Sequence, residues 1–347
     1  MIPDVAPLQI HLKQPFRIAH GTSTVRTNAV VRIGSAYGEA GLPPYLDTTA
    51  AEVVQWISGI DIDPGLHVPA IHHLLAGLPE GPSAARCALD MALHDLWGRR
   101  IGRPLHELFG LDPVRHSPVS FVTLSIPESL DDLREAAAAF GPTDRLKLKA
   151  GSGDLQRDLE VARIARESTR ALIAVDANGG WSIPETVSAL PRLFELDITF
   201  VEQPISNRDP EDWHLLRRLL PHSGIPLLFA DESVFTADDI IMLAGAVDGV
   251  NLKLAKCGGI APARAMISVA RALDLRVMLG CMIESSLAIA AAAHLAPLAD
   301  YVDLDAGLLI RDDPFDGVIL RQGRVLPTDR PGIGAIPIGP ADLFAAV

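Results

Sequence analysis

The sequence predicts an α/β protein: a closed barrel of eight parallel strands preceded by an α+β unit. Up to about residue 115, two alternating apolar/polar stretches are followed by one long helical pattern. Beyond that point, short apolar runs and helical segments alternate, the runs roughly 20 to 30 residues apart. Charged residues recur at or just past the ends of those runs, the edge on which such barrels carry their active sites.

The N-terminal stretches LQIHLKQPFRIAH and NAVVRIGSAYGEAG read as antiparallel strands joined by a mobile turn at GTST. SAARCALDMALHDLWGRRIGRPLHELFG then places apolar residues at three- and four-residue spacing, with Ser83 as N-cap and Gly110 as stop. This gives a first domain over residues 1–115 and a barrel over 116–319, with a C-terminal segment over 320–347.

In the barrel, strands are expected to begin near Val119, Leu146, Leu172, Ile198, Leu227, Val250, Val277 and Val302. Between them DLQRDLEVARIARE, PETVSALPRLFE, DWHLLRRLL, DDIIMLAGA and ARAMISVARALD read as helices. An open doubly wound sheet is the competing arrangement. It is disfavoured because no GxGxxG turn follows the first strands; GSGDL at 151–155 lacks the third glycine.

Of 347 residues, 48% are hydrophobic, enough for a large core, and the formal net charge is −13. That charge argues against nucleic-acid and anionic-membrane partners. It leaves an anionic substrate open, because a metal and buried lysines make a local positive site. Cys87, Cys257 and Cys281 show no CxxC spacing and read as reduced thiols. The N-terminus lacks the pattern of a signal peptide, and LAIAAAAHLAPLA is too short and interrupted for a membrane span. A cytoplasmic protein is expected, with its oligomeric state open and a homo-oligomer allowed.

The chemistry lies in an ordered set. LIAVDAN, ITFVEQP and PLLFADES deliver Asp176, Glu202 and Asp231; RLKLKAG before them carries Lys147 and Lys149, and VNLKLAKCGG after them carries Lys253. Three hard oxygen ligands on successive strand ends suit Mg²⁺ or Mn²⁺, not zinc. Lys147 and Lys149 share a strand face, where burial and like charge are expected to lower a lysine pKa and make a base. Lys253 stands across the barrel from Lys149, so one lysine can remove a proton that the other returns to the opposite face. Asn178, Glu232 and Glu284 are expected to orient ligands or lysines. Lys256 is expected outside the site, paired at the surface. Asp303 and Asp305, a DLD pair on the last strand, fit a substrate ammonium; a helix cap or a salt bridge to Arg311 is the bland alternative. Thr123, ending the first barrel strand, is read as a substrate contact or a core residue, and His294 as structural.

Together RLKLKAG, AVDANGGW, FVEQP, LFADES, VNLKLAKCGGI and GCMIES resemble the enolase superfamily, specifically its muconate lactonizing enzyme subgroup, over nearly the whole chain. The resemblance implies a modified TIM barrel, (β/α)7β, with an N-terminal α+β capping domain to which residues 320–347 return. It implies Lys149 and Lys253 as acid/base residues, Lys147 as the group tuning Lys149, and Asp176, Glu202 and Asp231 as Mg²⁺ ligands. The DLD pair is similar to that of dipeptide epimerases of the L-Ala-D/L-Glu type, where it binds the dipeptide ammonium. The reaction so implied inverts the α-carbon of the C-terminal residue of an L,L-dipeptide.

Glu-specific members carry arginines in the mobile N-terminal loop. Here RIAHGTSTVR puts His20 and Ser23 near those places, with Arg17 and Arg26 nearby, so a strict Ala-Glu preference is not expected. GLPPY around Pro43 to Tyr45 points to a small or hydrophobic C-terminal residue. The alternatives are an N-acylamino acid racemase, an o-succinylbenzoate synthase or a muconate cycloisomerase and, in another class, a catalytically silent binding protein on the same fold.

Overall fold

The computed structural model describes residues 2–63, 68–206, 209–338 and 344. An antiparallel sheet of β1 (Asp4–Ile18), β2 (Gly21–Ile33) and β3 (Ala36–Ala40) opens the chain, in the order β1-β2-β3. The predicted GTST turn is not a turn. Gly21–Thr24 begin β2, and the chain reverses at Ala19 and His20, because Thr22 and Ser23 pair with Arg17 and Phe16.

Helices α1 (Ala50–Ser58), α2 (Val68–Gly77) and α3 (Ser83–Ile101) follow. β3 lies so close to α3 that a Cβ on Gly38 would stand 1.9 Å from the Ala88 carbonyl oxygen. The small residues Ala84, Ala85, Ala88 and Ala92 of α3 allow that approach, and all are buried.

Eight parallel strands then form one sheet: β4 (Val122–Leu124), β5 (Arg145–Lys149), β6 (Leu172–Asp176), β7 (Ile198–Glu202), β8 (Leu227–Ala230), β9 (Gly249–Lys253), β10 (Arg276–Gly280) and β11 (Tyr301–Asp303). Seven of them lie within two residues of their predicted starts. The first begins three residues later than expected, at Val122. The preceding Ser120–Phe121 closes the barrel instead: Phe121 N–H donates to the Val302 carbonyl at 2.8 Å. A helix follows each of β4 to β10, and β11 is followed by the four-residue helix Ala306–Leu309.

Most barrel helices start on a side-chain cap, among them Ser129, Asp154, Ser182, Asp209, Thr236 and Ser285. The helix Ile260–Ala272 has none of its own. Its first amides donate instead to Asp90 of α3, with Ile260 N–H at 2.6 Å. Gly259, at φ +124°, lets the two elements meet, since a Cβ there would stand 2.4 Å from Asp90 Cβ. The glycine pair of KCGG is therefore architectural.

The C-terminal segment forms a hairpin, Val318–Arg321 with Arg324–Pro327, then runs along α3. Ile333 N–H donates to Asp95, Arg99 to the Ala335 carbonyl, and Leu105 N–H to the Gly332 carbonyl. Residues 339–343 and 345–347 of the predicted segment lie outside the described residues. Among the described residues no helix is long and apolar enough to cross a membrane, and Cys87, Cys257 and Cys281 are unpaired.

Candidate active site

Strand residues two apart share a face, and that period stacks two layers inside the barrel. The lower layer is Phe121, Ala174, Phe200, Phe229, Met278 and Tyr301, one buried apolar cluster. Two residues further along their strands, Ala174 leads to Asp176, Phe200 to Glu202, Phe229 to Asp231 and Tyr301 to Asp303. β5 adds Lys147 and Lys149, and β9 adds Asn251 and Lys253. Apolar packing thus sets the floor on which the charged layer stands.

Asp176, Glu202 and Asp231 are fully buried and each offers an oxygen within 4.8 Å of the others. Four lysines contact them, three of which line one cavity. Lys149 Nζ lies 2.5 Å from Asp176 Oδ2, and Lys253 Nζ lies 2.5 Å from Asp231 Oδ2. Lys147 pairs with Asp303 and lies 3.2 Å from Glu202 and 3.5 Å from Asp176.

These contacts reverse one expectation. Burial disfavours the Lys147 ammonium, but Asp303, Glu202 and Asp176 outweigh it and hold its pKa well above the ordinary lysine value. Lys253 is likewise held high, against burial, chiefly by Asp231. Burial and like charge alone would lower a lysine pKa; closure of the barrel brings carboxylates opposite Lys147 and reverses the sign. Among those carboxylates, burial and then Asp176 push Glu202 up to about 8. Asp231 is held far below the usual range because Lys253 and Lys256 overcome its burial.

Lys256 is a second correction. It is buried, not at the surface, and its Nζ donates to Asp231 Oδ1, to the Asp231 carbonyl and to the Asn251 carbonyl at 3.1 Å. The turn Leu254–Cys257 after β9 folds it back under the site. Asn251, which sequence reasoning passed over, donates to Glu202 Oε1 at 2.6 Å. Its position two residues before Lys253 on one strand face was the signal that could have found it.

The orienting residues lie close by. Asn178 donates through its backbone to Asp176 at 2.9 Å and through its side chain to Glu232 at 3.0 Å. Gln203, also missed, accepts the Asp231 N–H at 2.9 Å. Glu284 stands apart. It accepts the Met282 N–H at 2.9 Å beneath Gly41 of the first domain, and burial pushes it up to about 8.

The DLD pair is split by the end of the strand. Asp303 ends β11, whereas Asp305 lies two residues beyond, at φ −90° and ψ 3°, ahead of the helix Ala306–Leu309. The Thr123 N–H donates to Asp305 at 2.7 Å and the Thr123 hydroxyl to Asp303 at 3.3 Å. Arg311 bonds the Leu12 carbonyl instead of either aspartate. Burial and the Asp303 charge push Asp305 up to about 7.

The cavity opens onto Lys147, Lys149, Lys253, Asn178, Thr123, Asp303 and Asp305. The first domain closes it with Phe16, Ile18, Arg26, Pro43 and Tyr45, and the barrel with Cys281, Met282, Ile283 and Leu309. Arg17 lines a separate cavity, and His20 is exposed at the hairpin tip. His294 is buried against His106 and the Ile333 carbonyl, a structural position.

Family models match both parts of the chain: "Mandelate racemase / muconate lactonizing enzyme, N-terminal domain" over residues 4–110 and "Enolase C-terminal domain-like" over residues 128–337. The chain belongs to the mandelate racemase/muconate lactonizing enzyme family of the enolase superfamily.

Within this family, the L-Ala-D/L-Glu epimerase of Bacteroides thetaiotaomicron is 34% identical over 342 residues, 96% of this chain and 87% of that one. The hydrophobic dipeptide epimerase of Roseobacter litoralis is 40% identical over 258 residues, 73% of each chain. The dipeptide epimerase of Methylococcus capsulatus, crystallised with Mg and L-Arg-D-Lys, superposes with a TM-score of 0.81 at 33% identity, over 96% of this chain and 98% of that one. The three relatives are named for dipeptide chemistry with different side chains.

Proposed function

We propose that this protein is a Mg²⁺-dependent dipeptide epimerase, an isomerase that inverts the α-carbon of the C-terminal residue of an L,L-dipeptide by a two-lysine 1,1-proton transfer. The carrying observation is the placement of Lys149 on β5 and Lys253 on β9, strands on opposite sides of the carboxylate cluster, each in contact with one of its members. Dipeptide epimerases among its relatives support the substrate class.

Asp176, Glu202 and Asp231 fit Mg²⁺, being three hard, buried oxygen donors in one cluster. When bound, Mg²⁺ supplies positive charge that favours the substrate carboxylate, the charge developing on it as the α-proton leaves, and the neutral form of a neighbouring lysine. One lysine takes the α-proton, and the C–H electron pair delocalises into the carboxylate. The other lysine, protonated, gives its proton to the opposite face. Asp305, which has no cationic partner among the described residues, receives the dipeptide ammonium beside Asp303. Lys147 balances the charge between Asp303 and the metal ligands. The unpaired cysteines support a reducing compartment, hence the cytoplasm.

Specificity falls to the wall formed by the first domain. It is apolar except for the Tyr45 hydroxyl, which donates to Met282 Sδ, and Arg26, which no carboxylate pairs among the described residues. That wall favours a hydrophobic or acidic C-terminal side chain and repels a basic one.

Mass spectrometry of L,L-dipeptide pools incubated in D₂O with Mg²⁺ tests this reading. Gain of one deuteron by a defined set of dipeptides supports it. No gain in any pool, with folded and metal-loaded protein, rejects it in favour of ammonium-free substrates such as N-acylamino acids.

A further inference from the structure

The three carboxylates of the cluster are not held alike. Asp176 and Glu202 end strands and are fixed by the barrel ladder, but Asp231 lies one residue past β8. Beyond the ladder, a carboxylate keeps one orientation only if other groups hold it. Lys256 does so. Its Nζ touches three acceptors, Asp231 Oδ1, the Asp231 carbonyl and the Asn251 carbonyl. An ammonium has three N–H donors, so none remains for a substrate. Lys256 also lies outside the cavity lining.

The same strand completes the arrangement. Asn251 holds Glu202, and Lys253 meets the other oxygen of Asp231. We infer that Lys256 is a positioning residue: it fixes the Asp231 carboxylate by occupying Oδ1 and leaves Oδ2 turned toward Lys253. The inference rests on the reading of Asp176, Glu202 and Asp231 as the metal ligands. A purely structural ion pair would act otherwise. Removing Lys256 alone leaves the buried Asp231 with one cation fewer and costs stability, but a role in stability alone predicts little effect on a metal bound by the chains that remain folded.

Mn²⁺ binding, followed through the electron paramagnetic resonance signal of the free ion, tests this on the full chain. The variants are Lys256→Met, Lys256→Gln, Asp231→Asn and the Lys256→Met/Asp231→Asn pair, each checked for folding by circular dichroism. Lys256→Met is expected to weaken Mn²⁺ about 10- to 100-fold. Lys256→Gln, which keeps two donors, should lose less. Added to Asp231→Asn, Lys256→Met should cost almost nothing more, because it acts through that carboxylate. Wild-type affinity within twofold in Lys256→Met overturns the inference, and if that chain does not fold, Lys256→Gln decides in its place. A wild-type chain that binds no Mn²⁺ overturns the metal reading itself, and that failure is read without any variant.

Discussion

The Asp305 carboxylate accepts the backbone N–H of Thr123 at 2.7 Å, across the seam where the first and last strands of the barrel meet. This bond fixes one carboxylate oxygen of Asp305 with no cation involved, while Lys147 already compensates Asp303. The two aspartates therefore differ, and Asp305 is the stronger candidate for a substrate ammonium.

Asp305→Asn keeps the shape and removes the charge. For a dipeptide, kcat/KM is expected to fall by about 2–4 kcal/mol, roughly 30- to 1,000-fold, with little effect on an N-acylamino acid. With Asp305 pushed up to about 7, its charge is lost as pH falls through that value. The wild-type kcat/KM should therefore drop on the acid side of about pH 7, and Asp305→Asn should lack that limb. Equal losses on both substrates would remove Asp305 from ammonium recognition.

Lys149→Met and Lys253→Met should each abolish epimerisation, by a factor of about 10² to 10⁴ or more. Each should still exchange the α-proton of one epimer, the one whose proton faces the surviving lysine. Proton NMR of the L,L- and L,D-dipeptides in D₂O reads this directly. Exchange of both epimers by either variant would contradict the two-lysine scheme.

Arg26→Met should raise turnover of dipeptides with a C-terminal Lys or Arg relative to those with a C-terminal Glu, while Mn²⁺ affinity stays unchanged. Arg26 lines the cavity from the first domain and makes no ion pair with Asp176, Glu202 or Asp231, so the effect belongs to side-chain selection. Competition between paired dipeptides measures the ratio, and an unchanged ratio would place the side chain elsewhere.

Glu284 gives a dependence of stability on pH. Its ordinary value is 4.5 and burial in the folded protein pushes it to about 8, so across that window the folded state holds the proton that the unfolded state releases. Its contribution is complete below pH 4.5 and is lost as pH rises through 8, by at most about 1.4 kcal/mol per pH unit. Urea melts from pH 5 to 8 should show a shallower decline for Glu284→Gln than for wild type. Parallel declines would mean that Glu284 does not hold its proton.

Much of this was legible in the chain alone, because the relevant signals are local. Apolar runs of four or five residues ending in Asp176, Glu202 and Asp231 define buried strands, and the two-residue period sends those side chains inward with Lys147, Lys149 and Lys253. Asn251 obeyed the same period and was overlooked. Contacts across the barrel had no such signal. Lys256 leaves a strand through a helical turn, which breaks the period, so its burial beneath Asp231 depends on how β8 and β9 meet. Closure of the barrel brings Asp303 onto Lys147 and so decides that lysine's charge, and it brings Thr123 onto Asp305. Packing of the first domain on the barrel directs Arg26 into the cavity and Arg17 away from it. The sequence by itself determined the strand ends and the charged residues placed on them. Only the tertiary structure decided which charge faces which, because residues more than a hundred positions apart meet only when the barrel closes.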